Sequence, residues 1–525
     1  MRQGGIGLPA RLEISVDPER IHDPDHIRGL IAQKTDGGFK RYRIVRRSID
    51  ARRSRPRFVL LVELDTEIPA PEFHFAPVPD STSVIIVGSG PAGYFAALEL
   101  IEQGIRPIVL ERGPAVESRR KSIAQLLRSG TLDPDANYCF GEGGAGAFSD
   151  GKLYTRSSKR GDIHRLLHLM VFHGGPSDIL VDTHPHIGSD KLPTLLRNIR
   201  RTIIHCGGQI HFGAAVSDLL IRNDAVCGVR LATGEKIHAA AVILAVGHSA
   251  RNIYTGLHAR GIAIEAKPIA VGLRVEHPQE LIDTIQYHGH PRHPNLPSAT
   301  YRLTSQSMGR GVYSFCMCPG GMIVPTATRE GELAVNGLSF SGRRGPFANA
   351  GLVVELRQED LDNFEADQPF GFMHLQEALE RRAFEMAGSR GRLAPAQRMT
   401  DFVEGSISTD LPRTSYLPGV VSSPLHELFM PAVVSRLRQA LTVFDRRLKG
   451  FMSREALLVA VESRTSAPVR IPRDSETMMH PQVQGLFPCG EGAGYAGGIT
   501  SSALDGQRAA VAAARLIKAR IISSG

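Results

Sequence analysis

No apolar run in the chain approaches the ~18–20 residues that a membrane-crossing helix needs. The opening stretch, MRQGGIGLPARLEIS, lacks the apolar core of a secretory signal, and the arginine pair in VRRSID has none behind it either. Cysteine is sparse: six in 525 residues, at positions 139, 206, 227, 316, 318 and 489, with no CxxC pair. That excludes a disulfide framework and points to buried thiols in a reducing, cytoplasmic compartment. Residues 265–475 contain no repeat and no second nucleotide fingerprint, which excludes a dedicated NAD(P)H domain there.

What is present suits a large soluble protein, with 42% hydrophobic and 22% charged residues, enough for roughly three domains. The net charge of +9 is concentrated rather than spread. Phe39–Arg57 holds Lys40, Arg41, Arg43, Arg46, Arg47, Arg52, Arg53, Arg55 and Arg57 against Asp50 alone. Such a patch attracts phosphates by counterion release, so a nucleic-acid partner stays open; a solvated strand or loop face, or docking on an acidic partner, fits equally. No aromatic residues interleave the arginines in a stacking pattern.

Residues 1–80 read as a small basic α+β unit and linker. ARLEISVD and RPRFVLLVELD have strand alternation, and DPDHIRGLIAQKT suits a short helix. The connector EIPAPEFHFAPVPDST leads into VIIVGSGPAGYFAALELIEQGIRPIVLERG, Val84–Gly113. There a β-branched strand enters Gly88, a helix runs from Ala92 to Gln103 with Gly104 as its stop, and a second strand ends at Glu111. This is the strand–turn–helix–strand setting of a dinucleotide fingerprint. Gly88 permits the tight turn, Gly90 lets the backbone approach a pyrophosphate, and Gly93 lets the helix pack on the sheet. Pro91 and Ala92 open the helix, whose free N–H groups face the phosphates. Glu111, beside Arg112, is placed to accept from an adenosine ribose, which suits NAD and FAD alike.

Further on, SDKLPTLLRNIRRTIIHCGG puts Leu192, Leu195, Leu196, Ile199 and Ile203 on one helical face, with Ser189 as N-cap and Gly207 as stop. Residues 209–247 read as successive strands, with turns at Asn223–Asp224 and Gly234.

Two distant segments decide between the dinucleotides by resemblance. HAAAVILAVGHSA, ending its strand at Val246–Gly247, resembles the second conserved strand of two-dinucleotide-type flavoproteins. GLFPCGEGAGYAGGITSSALDG resembles their C-terminal flavin segment. The resemblance implies non-covalent FAD, with Gly490 and Glu491 at the ribityl chain and Gly498–Ile499 starting a helix aimed at the ring. In that group the acidic residue is usually Asp; here Glu491 is one methylene longer. GEGGAGAFSDGK, Gly141–Lys152, resembles the glycine-rich stretch of fumarate-reductase-like flavoproteins, implying that Gly143, Gly144, Ala145 and Gly146 lie near FAD. Ser149, Asp150 and Lys152 become candidates to face the ring, and Val216 a further cofactor contact.

Over nearly its full length the chain resembles the uncharacterised FAD-dependent dehydrogenases of bacteria, through RIVRRSIDAR, GEGGAGAFSDGKLYTR, THPHIGSDKL, RVEHPQ, SFCMCPGG and GEGAGYAGGITSSALDG. The expected fold is α/β: a Rossmann-like FAD-binding domain (81–264, returning at 476–525), an inserted α+β substrate or cap domain (265–475), and the small N-terminal unit, ferredoxin-like. The expected function is hydride transfer between a small-molecule substrate and flavin N5, with NAD(P)H at most a transient donor. An RNA-modifying flavoprotein using the basic segment, and a non-enzymatic flavin-binding redox sensor or scaffold, are the alternatives.

Catalytic candidates are fewer. Cys316 and Cys318 share a face if SFCMCPGG is a strand, and could hold a charge-transfer thiolate or a redox-active disulfide. Arg274, Glu276 and His277 of RVEHPQ could orient an acidic substrate or form a structural salt bridge. Lys152 completes the set. His184 and His186 lack a ligand cluster around them, so no metal is expected.

Overall fold

The computed structural model of the protein describes residues 11–53, 55–66, 71–154, 161–289, 291–361 and 364–524. The opening residues through 10, residues 67–70 of the connector, and Thr155 and Arg156 after the glycine loop lie outside them.

The N-terminal unit is β1 (Arg11–Val16), α1 (Pro24–Thr35), β2 (Tyr42–Asp50) and β3 (Arg57–Leu64), with antiparallel order β1–β3–β2. Asp23 caps α1 by accepting from His26 N at 2.9 Å. The ferredoxin-like expectation requires a fourth strand and a second helix, and the described residues of this unit contain neither. Nor does the unit stand apart. Ile14, Val16, Ile31, Leu60 and Val62 join the buried residues of the central sheet in one hydrophobic cluster.

β2 lies in the arginine-rich stretch, for which composition leaves a solvated face, an acidic docking region and nucleic acid open. Its arginines are spent on carboxylates. Arg43 meets Glu63 at 2.6 Å, Arg46 meets Glu13 at 3.4 Å, and Arg47 meets Asp182 at 2.7 Å and Asp178 at 2.9 Å. Arg52 and Arg57 pair with Asp50 and Asp17. Arg47 also exchanges backbone hydrogen bonds with Val181 and Thr183, so this strand seats the small unit against residues 177–183. At least five of the nine cations are thus engaged within the chain.

A five-stranded parallel sheet follows, ordered Leu486–Pro488, Val242–Leu244, β4 (Ser83–Val87), β5 (Arg106–Glu111) and Gln209–Phe212. Alternation along β4 divides two cores. Val84 and Ile86 face helices α2 (Pro91–Glu102) and Ile499–Ser524; Ile85 and Val87 face a small antiparallel sheet, Val216–Arg222, Ala225–Leu231 and Lys236–His238. The Asn223–Asp224 hairpin turn appears as expected, with φ of 51° and 57°. The helix Leu192–His205 buries its predicted face, but Ser189 does not cap it. Lys191 occupies the cap position and Pro193 opens the first turn, while Ser189 N donates to Ser339 O across to the central region.

Residues 270–462 supply an eight-stranded sheet, largely antiparallel, around Ala270–Pro278, Arg310–Pro325, Phe347–Glu355 and Leu457–Glu462. Among the described residues no helix is long and apolar enough to cross a membrane.

Candidate functional site

Where the ends of the parallel strands meet the eight-stranded sheet there is a cavity of about 620 Å³, inside the roughly 300–1,000 Å³ usual for cofactor sites. The fingerprint glycines divide its construction. Gly88 has φ of 102°, and a Cβ there would sit 2.4 Å from Ala245 O. At Gly93 a Cβ would lie 1.9 Å from Gly88 O, so this glycine closes helix onto turn. At Gly90 a Cβ would meet no atom within 4 Å, because it would project into the cavity. Gly88, Gly90, Pro91 and Ala92 line the cavity; Gly93 does not.

Glu111 lines it too, at the end of β5. One of its oxygens accepts from Ser89 N and Oγ at 3.0 and 2.8 Å, the other from Gly113 N and Gly141 N, both at 3.0 Å. With all four lone-pair directions engaged, Glu111 ties three loops together, and a ribose hydroxyl has to share or displace the Ser89 hydroxyl. Arg112 is fixed by Asp135 at 2.5 Å and lies over the Phe140 ring at 4.1 Å.

The glycine-rich loop turns through left-handed φ at Gly141, Gly143 and Gly144. Gly144, Ala145, Gly146, Ser149, Asp150 and Lys152 line the cavity, whereas Gly143 packs toward Leu196, where a Cβ would come within 2.3 Å of its Cδ1. The buried Arg119 holds this loop, donating to Asn137 O and Glu142 O at 2.8 Å. A Cβ on Gly146 would touch Pro91 and Ile499, so two helix N-termini converge on this loop.

The returning segment completes that wall. Val216, Val246, Gly247, Gly490, Glu491, Gly498 and Ile499 all line the cavity. Tyr254 hydroxyl reaches Gly247 O and Gly492 O, each at 3.0 Å, joining the two flavin-like segments. Asp505 accepts from Gly490 N at 2.8 Å and is held by Arg473 at 2.7 Å. A Cβ on Gly506 would lie 2.0 Å from Ala92 O, which sets the close approach of the C-terminal helix to α2. Sequence reasoning missed Tyr254, Asp505 and Gly506; a charged residue next to glycine within an alanine-rich helix was the available signal. The Glu491 carboxylate accepts no hydrogen bond among the described residues, and burial raises it to about 7, with Lys267 opposing.

The opposite wall comes from the eight-stranded sheet: Phe315, Cys316, Asn336, Arg464 and Thr465. Cys316 and Cys318 do not alternate as in a regular strand. Pairing with Phe347–Glu355 jumps from Phe315↔Gly351 to Cys318↔Asn349, and Cys316 has φ of 44°. This bulge turns Cys316 into the cavity and leaves Cys318 buried behind it. A hydrogen bond shared with Cys318, helped by Lys152 and Arg274, draws the Cys316 thiol well below its usual value against burial; burial pushes Cys318 well above it. Burial also raises Asp150, but Lys152 at 3.1 Å and Arg343 at 2.5 Å outweigh it and hold the carboxyl well below the ordinary range.

Of the two roles open to RVEHPQ, the structural one holds and substrate orientation does not. Arg274 does not face a substrate: it is fully buried, donating to Asn349 at 2.9 Å, Glu462 at 3.1 Å and Cys316 O at 2.7 Å. His277, one residue past Glu276, lies on the other face of its strand, bonded to Phe451 O at 2.8 Å, with burial lowering it to about 4. Glu276 accepts from Ser415 N at 3.0 Å. His186 bonds Ser341 O at 3.1 Å and His184 packs edge-on to Tyr154, so the two histidines serve different neighbours. Unforeseen was a buried cluster behind the wall, in which Arg464 meets Glu380 at 2.7 Å and Arg251 meets Glu332 and Glu380 at 3.1 and 3.2 Å.

With this geometry in place, the comparisons are specific. Residues 81–134 match the model of an FAD binding domain, residues 268–465 that of an FAD-dependent protein, C-terminal domain-like, and residues 9–65 a domain of unknown function. A Clostridium beijerinckii protein described as uncharacterized is 41% identical over 433 residues, 81% of this chain and 79% of that one. The chain belongs to a family of FAD-dependent proteins. Solved structures overlap it more loosely. A geranylgeranyl bacteriochlorophyll reductase-like protein of Thermoplasma acidophilum is 13% identical, covers 84% of this chain and 80% of its own, and has a TM-score of 0.35. The flavin-dependent brominase Bmp2 is 14% identical, covers 83% and 80%, and has a TM-score of 0.37.

FAD is the cofactor, and the residues fit it. Gly90 leaves backbone room where a side chain would intrude, two helix N-termini meet beside the glycine loop, and Glu491 holds an unanswered carboxylate on the cavity wall.

Proposed function

We propose that the chain is an FAD-dependent oxidoreductase that passes a hydride equivalent between a small-molecule substrate and flavin N5. The supporting observation is that one cavity has a dinucleotide cradle as one wall and polar groups of the inserted sheet as the other. The backbone N–H groups at Gly90–Ala92 would hold the pyrophosphate, Arg112 and Asp135 would border the adenosine, and Glu491 would take the ribityl hydroxyls. FAD supplies the two-electron acceptor. Around the ring end, Lys152 keeps a cation partly open to the cavity, with Asn336 and Thr465 as polar neighbours. Those groups suit a substrate bearing a carbonyl or carboxylate. NAD(P)H would reach the same space as a transient donor, since the chain carries one fingerprint. All six cysteines are free, which suits a reducing cytoplasm.

The test is a visible spectrum of the purified protein, followed by NADH, NADPH and dithionite under nitrogen, then air. The expected result is a yellow protein bleached by one nicotinamide and restored by air. A protein that takes up no FAD removes the reading, and a yellow protein that exchanges electrons with no donor and acceptor pair leaves the scaffold alternative in its place.

A further inference from the structure

The bulge at Cys316 has more chemistry around it than two buried small residues require. In an extended strand, residues two apart lie about 6.6 Å apart at Cα, the far end of the ~4.4–6.8 Å that a disulfide spans. The left-handed φ of 44° at Cys316 breaks that extension and turns the next residues back, so that Cys318 Sγ lies 3.3 Å from Cys316 O. Two cations attend the pair. Lys152 Nζ is 3.8 Å from Cys318 Sγ, and Arg274 Nη2 is 3.4 Å from it and 2.7 Å from Cys316 O. Arg274 cannot swing away, because Asn349 and Glu462 hold its other nitrogens. Cys316 lines the FAD cavity, and Cys318 is wholly enclosed behind it. An accessible sulfur, a buried partner and fixed positive charge are the parts of a dithiol that can be oxidised reversibly.

We propose that Cys316 and Cys318 are a redox-active dithiol that exchanges two electrons with the bound FAD by closing and opening a disulfide across the bulge. The pair, as one thiolate and one thiol, loses two electrons and one proton as the S–S bond forms. Oxidised FAD takes up those two electrons and that proton, becoming the reduced anion; the reverse step restores both. Lys152 and Arg274 are positioning residues that hold the thiolate charge. The inference rests on the FAD reading and extends it, because the chain then stores a second electron pair beside the cofactor.

Anaerobic dithionite titration of the air-oxidised holoprotein tests it. The wild type is expected to take up about four electrons per bound FAD, and Cys316→Ser and Cys318→Ala about two, since each couple carries two. The wild type alone gives an independent readout: after oxidation the peptide bearing both cysteines should resist alkylation under denaturing conditions, and after reduction it should take two labels. Lys152→Met should raise the pH at which Cys316 alkylates in the reduced protein. A yellow wild type that takes up about two electrons, with both cysteines still alkylated after oxidation, overturns the dithiol and leaves FAD binding standing. A colourless protein overturns the FAD reading first, and this one with it.

Discussion

The two walls of the cavity are built on opposite principles. The wall formed by α2, the glycine loop and the C-terminal helix achieves its shape by omitting side chains, so that backbone approaches backbone at Gly88, Gly93, Gly492 and Gly506. The wall from the eight-stranded sheet achieves its shape by burying charge: Arg274 with Glu462, and Arg464 and Arg251 with Glu380 and Glu332. The first kind of wall receives a ligand; the second holds reactive groups in fixed positions. A defect in the second should therefore cost the fold, and a defect in the first should cost cofactor where a side chain would enter the cavity, as at Gly90, and the fold where it would meet backbone, as at Gly93.

The largest effect expected is on the charged wall. Arg464→Met leaves Glu380 and Glu332 with one buried arginine, Arg251, and the half-exposed Arg329 at 3.9 Å from Glu332, at a cost of about 3–5 kcal/mol. It should appear as a lowered unfolding midpoint with and without FAD; an unchanged midpoint would show that the cluster tolerates an unbalanced carboxylate.

Next come two glycines of one motif. Gly90→Val should weaken FAD by roughly 100-fold or more, about 2.7 kcal/mol, with the unfolding midpoint of the apoprotein unchanged. Gly93→Ala forces a Cβ toward Gly88 O and should lower that midpoint by the equivalent of about 1–3 kcal/mol. Flavin fluorescence titration and thermal unfolding of both variants check the contrast, and equal effects at the two sites would break it.

Glu491 gives a pH effect. Burial raises its carboxyl to about 7, so the folded apoprotein favours the protonated form more than the unfolded chain does. The stability this contributes is complete below the ordinary carboxyl range and is lost as pH rises through about 7. Apoprotein unfolding midpoints should fall over that interval, and Glu491→Gln should flatten the fall. The smallest effect belongs to the surface: Arg46→Gln breaks an exposed pair with Glu13 and should cost only about 0.2–1 kcal/mol, measured by chemical denaturation.

How much of this was legible depended on how local each feature is. Gly88, Gly90 and Gly93 were readable because the turn, the approach and the packing all lie within one strand–helix unit. The segment Gly490–Ile499 was readable from its resemblance alone, and the cavity does bring it to the fingerprint. For β2, composition left a solvated face, an acidic docking partner and nucleic acid all open, because it cannot show that carboxylates from β1, β3 and residues 178–182 meet its arginines. Arg274 and His277 looked like neighbours in sequence, yet strand alternation sends them to opposite faces. No spacing announced the Arg464 cluster, whose four members come from separate segments.

The sequence by itself determined the cofactor cradle, the α/β class and the burial pattern of the main helices, because glycine placement and hydrophobic period act over a few residues. Only the tertiary structure decided that Cys316 leaves its strand for the cavity while Cys318 stays behind. The same holds for Arg274, which supports the two cysteines rather than a substrate, and for the basic strand, which docks within its own chain. Those outcomes depend on which charges and which strand partners arrive from far along the chain, and a bulge exists only relative to the strand it is paired with.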